Sequence, residues 1–283
     1  MFRSRKPLPR VAAIAGALWL AGCVEADKAG TPHLYSFDLL DTSGTPVMKD
    51  PDAAVFTASP RVTFRAVFTD LLDFTQIVDV DAGVALPGLM TITTAGDQTL
   101  MTTYTHNGHH KFNTPMFFGG NTTGPNITSA PQPGLHSGAT VSVALDVTRL
   151  RGRDGKPLII DQGVPPTLVF ETERFGVKGE PNEMPFAADH AFVVTASNIP
   201  AAMFATKFSA SSTVDVTVTP VEVTVTVDET DPAKFLVAPA AGMWPAGALI
   251  TVTIAADAAD QFGAVLGAVV LLTFSVAAAM AAP

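Results

Sequence analysis

The stretch Gly134-Leu-His-Ser-Gly-Ala-Thr-Val-Ser-Val-Ala-Leu145 decides the fold, because a related stretch recurs later as Trp244-Pro-Ala-Gly-Ala-Leu-Ile-Thr-Val-Thr-Ile254. In each copy a glycine-containing turn precedes apolar residues that alternate with small or polar ones. The alternation starts at Val141 in the first copy and at Ile250 in the second. A period of two is typical of a strand that buries one face. A repeated turn-and-strand unit predicts two β-sandwich domains in tandem.

The composition supports this prediction. The chain has 283 residues, of which 47% are hydrophobic and 15% charged, and it contains 22 glycines and 22 prolines. That is enough apolar material for two cores of ordinary size. Val and Thr are abundant, whereas the helix formers Glu, Lys and Gln are scarce. We therefore expect an all-β protein with many turns.

The N-terminus has the features of a bacterial export signal. Four basic residues, Arg3, Arg5, Lys6 and Arg10, precede an uncharged apolar run over residues 11–20. This arrangement predicts a cleaved signal peptide at residues 1–22. Leu20-Ala-Gly-Cys23 resembles the lipobox of bacterial lipoproteins, in which the cysteine receives a diacylglyceryl group and becomes the new N-terminus. The alternative is an ordinary signal peptide with an incidental cysteine.

Cys23 is the only cysteine of the chain, so no internal disulfide can form. Lipidation of Cys23 gives this thiol a use, and it predicts attachment to the membrane through N-terminal acyl chains. Val24 stands where the lipoprotein family places Asp to retain a protein in the inner membrane. The resemblance therefore implies a lipid-anchored protein of the cell envelope, located at the outer membrane.

The charge of the mature chain excludes one class of partner. The chain has 17 basic and 26 acidic residues, and the signal peptide holds four of the basic and none of the acidic ones, so the mature chain carries a formal net charge of −13. An acidic surface argues against binding to nucleic acid and against electrostatic docking on anionic lipid.

Periodicity and turn residues predict the domain layout. We expect a tether at 23–32, a first Ig-like sandwich at 33–175, a linker at 176–185, a second sandwich at 186–277 and a tail at 278–283. The linker is placed where Gly179, Pro181 and Pro185 occur without periodicity. In residues 61–69 the side chains of Val62, Phe64, Ala66 and Phe68 are predicted to point into the first core. A strand at residues 167–172 is predicted to close the first sandwich. Further strands are predicted in the second sandwich at residues 191–197, 214–218, 221–227, 234–238, 249–254 and 270–276.

One uncharged run allows two interpretations. Residues 264–282 are long enough to span a bilayer as a helix. However, Leu272, Phe274 and Val276 alternate with Thr273 and Ser275, which favours a closing strand of the second sandwich.

A family resemblance rests on the order of strands and turns in the second half. Phe235-Leu-Val-Ala-Pro239, Pro245-Ala-Gly247, a strand at 249–254, Asp260 with Gly263 and a strand at 272–276 resemble the second half of a bacterial Ig-like domain of the S-layer-protein (SbsA) type. The first half repeats this order but carries a long insertion. The resemblance implies seven-strand sandwiches used as a spacer, adhesion or envelope module.

The insertion is the predicted recognition element. From residue 105 to residue 133 the period of two is absent, and Gly, Asn, Thr and Pro dominate, so we expect a long loop. Phe112, Phe117 and Phe118 lie in it as candidate ligand-binding residues, because exposed aromatic rings stack on sugars or anchor a protein partner. A cell-surface protein or polysaccharide is the candidate partner. The alternative is that the rings pack back onto the edge of the sandwich.

Two sets of residues carry metal-ligating side chains. One is the histidine set His106, His109, His110 and His136, and the other is the aspartate set Asp70, Asp73, Asp79 and Asp81. The spacing of the histidines is not helical, and that of the aspartates does not match an EF-hand loop. We therefore predict ordinary surface side chains and no bound metal, with metal binding as the alternative. Arg149, Arg151 and Arg153 are predicted to share one face at the end of a strand. They are interpreted as a solvated hairpin rim, with an anionic polymer as the alternative ligand.

Catalytic signatures are absent from the sequence. It contains no Gly-x-Ser-x-Gly elbow, phosphate loop or His-Glu-x-x-His motif. We therefore predict a non-enzymatic protein without a cofactor. The expected role is that of a structural or adhesive module of the cell envelope, and the alternative is binding of an exopolysaccharide or protein by the loop at 105–133.

Overall fold

The computed structural model describes residues 30–48, 56–70, 72–73, 75, 78–79, 84–85, 88–94, 98–99, 101–107, 126–132, 134–152, 154–181 and 185–279. The predicted signal peptide, Cys23 and the aromatic residues Phe112, Phe117 and Phe118 lie outside the described residues.

Strands dominate the described chain. Those of the first half are β1 (His33–Leu40), β2 (Thr57–Ala58), β3 (Thr63–Phe68), β4 (Val78–Asp79), β5 (Val84–Ala85), β6 (Met90–Thr94), β7 (Gln98–Thr99), β8 (Met101–Asn107), β9 (Asn126–Gln132), β10 (Thr140–Leu145), β11 (Ile159–Ile160) and β12 (Thr167–Thr172). Those of the second half are β13 (Val177–Gly179), β14 (Phe192–Ala196), β15 (Phe208–Val214), β16 (Thr217–Val221), β17 (Val223–Val227), β18 (Lys234–Pro239), β19 (Leu249–Ile254) and β20 (Val270–Ser275). Short 3₁₀ helices lie at Val147–Arg149 and Phe204–Lys207.

Most strands form two sandwiches of two sheets each, and β4 and β5 form a separate two-stranded sheet. The first sandwich has the sheets β11-β1-β3-β9-β8 and β2-β12-β10-β6-β7, and the second has the sheets β13-β14-β18-β17 and β16-β15-β19-β20. Pairing is antiparallel except for β1 with β11 and β2 with β12. The predicted all-β class, with two tandem Ig-like antiparallel sandwiches, is confirmed.

The two sandwiches share one topology. In chain order, β1, β3, β6, β7, β8, β9, β10 and β12 correspond to β13 through β20, and each set makes the same neighbours in its two sheets. The register agrees as well, because Val141 faces Phe170 across one strand pair, and its counterpart Ile250 faces Phe274. The repeat that was read from β10 and β19 therefore extends over both sandwiches.

Each sandwich buries its own core. The predicted inward set Val62, Phe64, Ala66 and Phe68 is fully buried in the first one, as expected for a strand with one inward face. Phe64 and Phe170 lie 6.3 Å apart there, in a tilted arrangement. The corresponding rings of the second core, Phe192 and Phe274, stack at 3.9 Å. Trp244 lies 5.0 Å from Phe192 and occupies the counterpart position of Leu135.

The limits predicted for the loop at 105–133 are wrong. Strands β8 and β9 pair from Met101 with Gln132 to Asn107 with Asn126, so strand structure extends into both ends of the predicted loop. In β9 the buried members include Ile127 and Ser129. Buried and less buried residues alternate along β9, but some inward positions hold serine or proline. The strand is therefore missed when alternation of large apolar residues is used as the signal.

The predicted linker at 176–185 contains strand β13, which pairs with β14 and belongs to the second sandwich. Gly179 indicated a break in the chain, but its role is packing. A Cβ atom at this position would lie 3.1 Å from the ring of Phe274, so the absence of a side chain lets the strand approach the core closely.

The structure also tests two predictions for the second sandwich, namely the strand at 214–218 and the uncharged run at 264–282. The strand expected at 214–218 is wrong, because β15 ends at Val214 and a turn with Asp215 at φ 53° leads into β16. The uncharged run at 264–282 contains strand β20, which pairs along its whole length with β19. Among the described residues, no helix is long and apolar enough to cross a membrane.

Candidate functional site at the joint between the sandwiches

The connection between the sandwiches is very short. The amide of Glu173 donates to Ala58 O in the first sandwich, whereas the amide of Gly176 donates to the Ser197 hydroxyl in the second. Only Arg174 and Phe175 separate these two bonds, and Phe175 is already buried in the second core. The facing ends of the two sandwiches are therefore held in contact.

Asn198 is the centre of this contact. It follows β14, is completely buried, and belongs to the second sandwich. Its side-chain Nδ2 lies 3.0 Å from each of three acceptors, namely Leu135 O, Ser137 Oγ and Asp260 Oδ2. Leu135 and Ser137 belong to the turn that precedes β10 in the first sandwich, so this one amide links the two halves.

Asp260 completes the buried cluster. It is 1% exposed, and its Oδ2 accepts from Ser137 Oγ at 2.7 Å as well as from Asn198. Its Oδ1 accepts from the amides of Phe262 and Ala264, each at 2.9 Å. Four donors thus satisfy this carboxylate, which offsets the cost of removing it from water. We name Asn198, Ser137, Asp260 and the Leu135 carbonyl the joint cluster.

An ion pair lies beside the joint cluster. Arg61 of the first sandwich places Nη2 2.6 Å from Asp231 Oδ1 and Nη1 3.4 Å from Oδ2, which makes a two-point contact. Partial burial acts against ionisation of Asp231, but hydrogen bonds from Arg61 and from the Ala233 amide outweigh it, so the pKa of the Asp231 carboxyl lies below its ordinary value.

A ring pair closes another part of the joint. His136 of the first sandwich stacks on Phe262 of the second, with ring centroids 4.2 Å apart and planes 21° apart. The joint is therefore built from a turn before β10 and a residue before β3 on one side, and from three loops of the second sandwich on the other.

A small pocket of about 150 Å³ adjoins the joint. Its polar side chains are Arg61, Thr63 and Asn198, and its apolar wall includes Pro60 and Ile199. Arg61 is engaged by Asp231, and Asn198 by the joint cluster. These groups fix the geometry of the joint rather than face an incoming reactant, so the arrangement can hold two modules together but offers no nucleophile paired with a base.

The described members of the predicted metal-ligand sets do not form a group that could hold a metal ion. His106 lies near the end of β8, which pairs with the start of β9, whereas His136 follows the end of β9 and lies in the joint. Asp70 accepts from the Gly30 amide at 2.6 Å, and Asp73 caps its own turn by accepting from Thr75. Within the described residues, no group of three or more potential ligands is placed to hold a metal ion.

The remaining predicted residues are distributed as follows. Asp79 lies in β4, Arg149 ends a 3₁₀ helix rather than a strand, and Arg151 forms a bridge with Pro157. His109, His110, Asp81 and Arg153 lie outside the described residues. The prediction that the arginines share one face of a strand is therefore wrong for Arg149.

Sequence analysis identified only one member of the joint cluster. Asp260 was recognised as the first residue of an Asp-x-x-Gly turn, and Gly263 indeed has φ 86°. Asn198, Ser137, Arg61 and Asp231 were not identified. A usable signal was the short polar segment Ser197-Asn198 between the buried strand β14 and Pro200, where a buried amide has to find partners.

Comparisons with known proteins return structures only. No protein-family model and no curated protein matches the chain. The chain is similar to the N-terminal part of the bacterial S-layer protein SbsC, with 14% identity, a TM-score of 0.32, and coverage of 93% of this chain and 46% of that one. It is also similar to domains 1–6 of surface layer protein SbsC, with 15% identity, a TM-score of 0.27, and coverage of 95% and 28%. The chain thus spans less than half of each of these S-layer structures.

Proposed function

We propose that this chain is a non-catalytic, lipid-anchored protein of the cell envelope whose two Ig-like sandwiches serve as a stiff structural or adhesive module. The observation that carries the proposal is the buried joint cluster. A spacer has to hold its modules at a fixed angle, and a completely buried, hydrogen-bonded amide between them is a means of doing so.

The physical argument concerns what bending would expose. Modules joined by a linker move relative to one another unless their interface is large or specific. Here any bend that separates the sandwiches withdraws Asn198 from Leu135 O and Ser137. It also removes the Ser137 hydroxyl, which is one of the four donors to Asp260. Unsatisfied buried polar groups are costly, so the closed arrangement is favoured over a range of bent ones.

The lipid anchor is the second part of the proposal. Cys23 would carry the acyl chains, and residues 24–32 would connect them to β1. Since the mature chain has a net charge of −13, from 13 basic and 26 acidic residues, attachment to an anionic membrane would depend on the acyl chains rather than on charge. The outer membrane is the proposed location.

The anchor is tested by metabolic labelling with a palmitate analogue in the native host. The wild-type protein should be labelled and should fractionate with the outer membrane, whereas Cys23→Ala should be unlabelled. A matched control, Ser59→Ala, keeps Cys23 and should label like the wild type. Labelling that persists in Cys23→Ala would refute lipidation at this residue.

The non-catalytic character is tested separately. The purified chain should turn over no common glycoside, ester or peptide substrate. Turnover that co-purifies with the folded protein through a final sizing step would overturn this part of the proposal, and it would leave the anchor and the joint unaffected.

A second candidate function is recognition of an exopolysaccharide or protein by Phe112, Phe117 and Phe118. Strands β8 and β9 pair up to Asn107 and Asn126, so the two ends of the intervening segment are neighbours across one strand pair. This placement suits a segment that a rigid sandwich presents to a ligand.

The pairing also allows a clean deletion. Residues 108–125 can be replaced by a two-residue Asn-Gly turn, which is the preferred connection for a hairpin. Loss of ligand retention with unchanged melting would support recognition by this segment. A chain that no longer folds would instead assign it to packing, and unchanged retention would reject the second candidate.

A further inference from the structure

One outer face of the second sandwich has no charged side chain. It is the solvent side of the sheet β16-β15-β19-β20, and we name it the uncharged face. Its outward residues in β15, β19 and β20 alternate with the buried ones, and all are Ser, Thr or Leu. Strand β16 adds Val218 and Pro220, which pair with Thr213 and Ser211. The charged residues Lys207, Asp215, Glu222 and Asp257 lie at the ends of the sheet, and Glu222 directly follows β16.

This face also exposes large apolar side chains. Val218 is 65% exposed, Leu249 43% and Leu271 62%. Val218 and Leu249 flank Thr213 in one cross-strand row, and Leu271 lies two rows away beside Thr253. The face thus combines apolar groups with hydroxyls and has its charges at the rim, which is the usual anatomy of a protein interface.

Other outer faces of the chain differ in this respect. The corresponding face of the first sandwich carries Glu171, paired with Thr140. The opposite sheet of the second sandwich exposes Lys178 and Lys234, on either side of Thr195. The remaining sheet carries the pair Asp38 and Arg65. The uncharged face is therefore specific to one of the four sandwich sheets and does not follow from the fold, which is the same in both sandwiches.

We propose that the uncharged face binds the same face of a second copy of this chain, sheet against sheet. The chain is acidic, with a formal net charge of −9 over its full length. Two copies repel each other through most of their surfaces, but not through a face that carries no charge. A two-fold axis through the centre of the face, near Thr251, brings equivalent residues of the two copies together.

Face-to-face contact is favoured over pairing at the edge of the sheet. Strand β16 is one of the two edge strands, and Pro220 within it has no N–H to donate to an added strand. At the other edge, the Phe186 amide already donates to Ser275 O at the end of β20. Proline is one of the devices by which edges are protected from pairing. Packing of one sheet face on another uses side chains and needs no backbone donor, and it places the two sheets about 10 Å apart.

The size of the face predicts a weak dimer. Four strands of about six residues give a footprint of roughly 20 by 20 Å, or about 400 Å² per copy. That is about half the area per partner of a typical stable interface, so the dissociation constant should be in the micromolar to millimolar range. On a membrane, where the proposed lipid anchor would concentrate the copies, the same contact becomes significant. Only this effect of the membrane rests on the proposed function.

The test uses the soluble mature chain with Cys23→Ser, studied by sedimentation equilibrium from micromolar to near-millimolar concentration. The wild-type face should give a reversible monomer–dimer equilibrium. Thr251→Lys places two like charges at the centre of the contact and should weaken association by at least about tenfold. Thr224→Lys, on the opposite sheet, is the matched control and should associate normally. Both variants should melt like the wild type.

A charge-swap mixture gives the sharpest result. Thr251→Lys and Thr251→Glu should each be monomeric, and an equimolar mixture should form a heterodimer. A wild-type chain that stays monomeric throughout would overturn the proposal, as would a dimer that Thr251→Lys leaves intact. A monomer that loses retention of an exopolysaccharide on Thr251→Lys would assign the face to that polymer instead. None of these outcomes depends on whether Cys23 is lipidated.

Discussion

The two sandwiches share a topology but use the same loop positions for different contacts. Leu72 forms a bridge with Gly152 in the first sandwich, and Pro200 forms the equivalent bridge with Asp260 in the second. The amides agree as well, because Gly152 N donates to Lys156 O and Asp260 N donates to Ala264 O. Gly152 is therefore the counterpart of Asp260.

By the same alignment, Asp70 is the counterpart of Asn198. Asp70 holds the chain that enters the first sandwich, because it accepts from the Gly30 amide. Asn198 holds the sandwich that precedes the second one. The same end of the same fold therefore binds an extended N-terminal segment in one sandwich and a whole folded domain in the other. A few loop side chains decide which of the two is bound.

The largest predicted effect concerns the two cores. Phe192→Ala removes a ring that lies against Phe274 and Trp244, and Phe64→Ala removes its counterpart beside Phe170. Each change should lower the free energy of unfolding by about 3–5 kcal/mol, with the larger loss for Phe192 because its ring neighbours are closer. Urea unfolding followed by tryptophan fluorescence and circular dichroism measures both. Equal losses would contradict the difference in packing.

The next effect concerns the joint cluster. Asp260→Ala leaves the amides of Phe262 and Ala264 and the Ser137 hydroxyl without their acceptor, and it removes one of the three acceptors of Asn198. It should cost about 3 kcal/mol. Asp257→Ala is the matched control, since that exposed carboxylate contacts only the Lys207 side chain. Thermal melting should show a large shift for the first variant and no shift for the second. A normal melting temperature for Asp260→Ala would show that the cluster does not stabilise the fold.

A smaller loss of stability is expected where the N-terminal segment packs against the loop at Gly152. A Cβ atom on Gly152 would lie 2.8 Å from Cδ of Pro32. Gly152→Ala should therefore displace the entering chain and lower stability by about 1–2 kcal/mol. Gly163→Ala is a useful comparison, since its Cβ meets no atom but its φ of 91° strains an alanine. If truncation of residues before 33 removes most of the penalty at Gly152, steric contact with Pro32 is its main cause. A penalty that survives truncation in full would contradict this and would assign it to Asp154 Oδ1, which would lie 3.0 Å from the same Cβ.

The smallest effect is the ion pair, and it depends on pH. The pKa of Asp231 is lower in the folded chain than its reference value of 3.8. A lowered folded pKa contributes stability that is fully present above the unfolded pKa and is lost as pH falls through the folded one. The difference in the free energy of unfolding between wild type and Asp231→Asn should therefore be constant near neutral pH, at most about 1 kcal/mol. It should disappear once the pH falls below the folded pKa of Asp231. A difference that grows as pH falls would have the wrong sign.

Local alternation allowed much of the fold to be predicted. Strands at 167–172 and 249–254 were predicted with the bounds that the structure gives them, because their inward residues are large and apolar. Strand β15 was missed, since its buried members are the small residues Ala210 and Ser212. Strand β13 was missed because Gly179 indicated a break, although its role is to pack against Phe274.

The joint could not be predicted in the same way. Asn198 is separated from Ser137 by 61 residues and Arg61 from Asp231 by 170 residues. No local period encodes such contacts, and each residue by itself is an ordinary polar side chain near a turn. Only the relative placement of two folded sandwiches brings them together. The predicted sites at Cys23 and in the segment around Phe117 remain predictions.

The central claim is that the joint holds the two sandwiches at one angle. The most direct test is the distance distribution between spin labels on Thr167→Cys and Thr226→Cys, measured by double electron–electron resonance in a chain with Cys23→Ser. The wild-type joint should give one narrow peak. The double variant Ser137→Ala with Asn198→Ala, if still folded by circular dichroism, should give a broad distribution. A broad distribution in the chain with the intact joint would contradict the account.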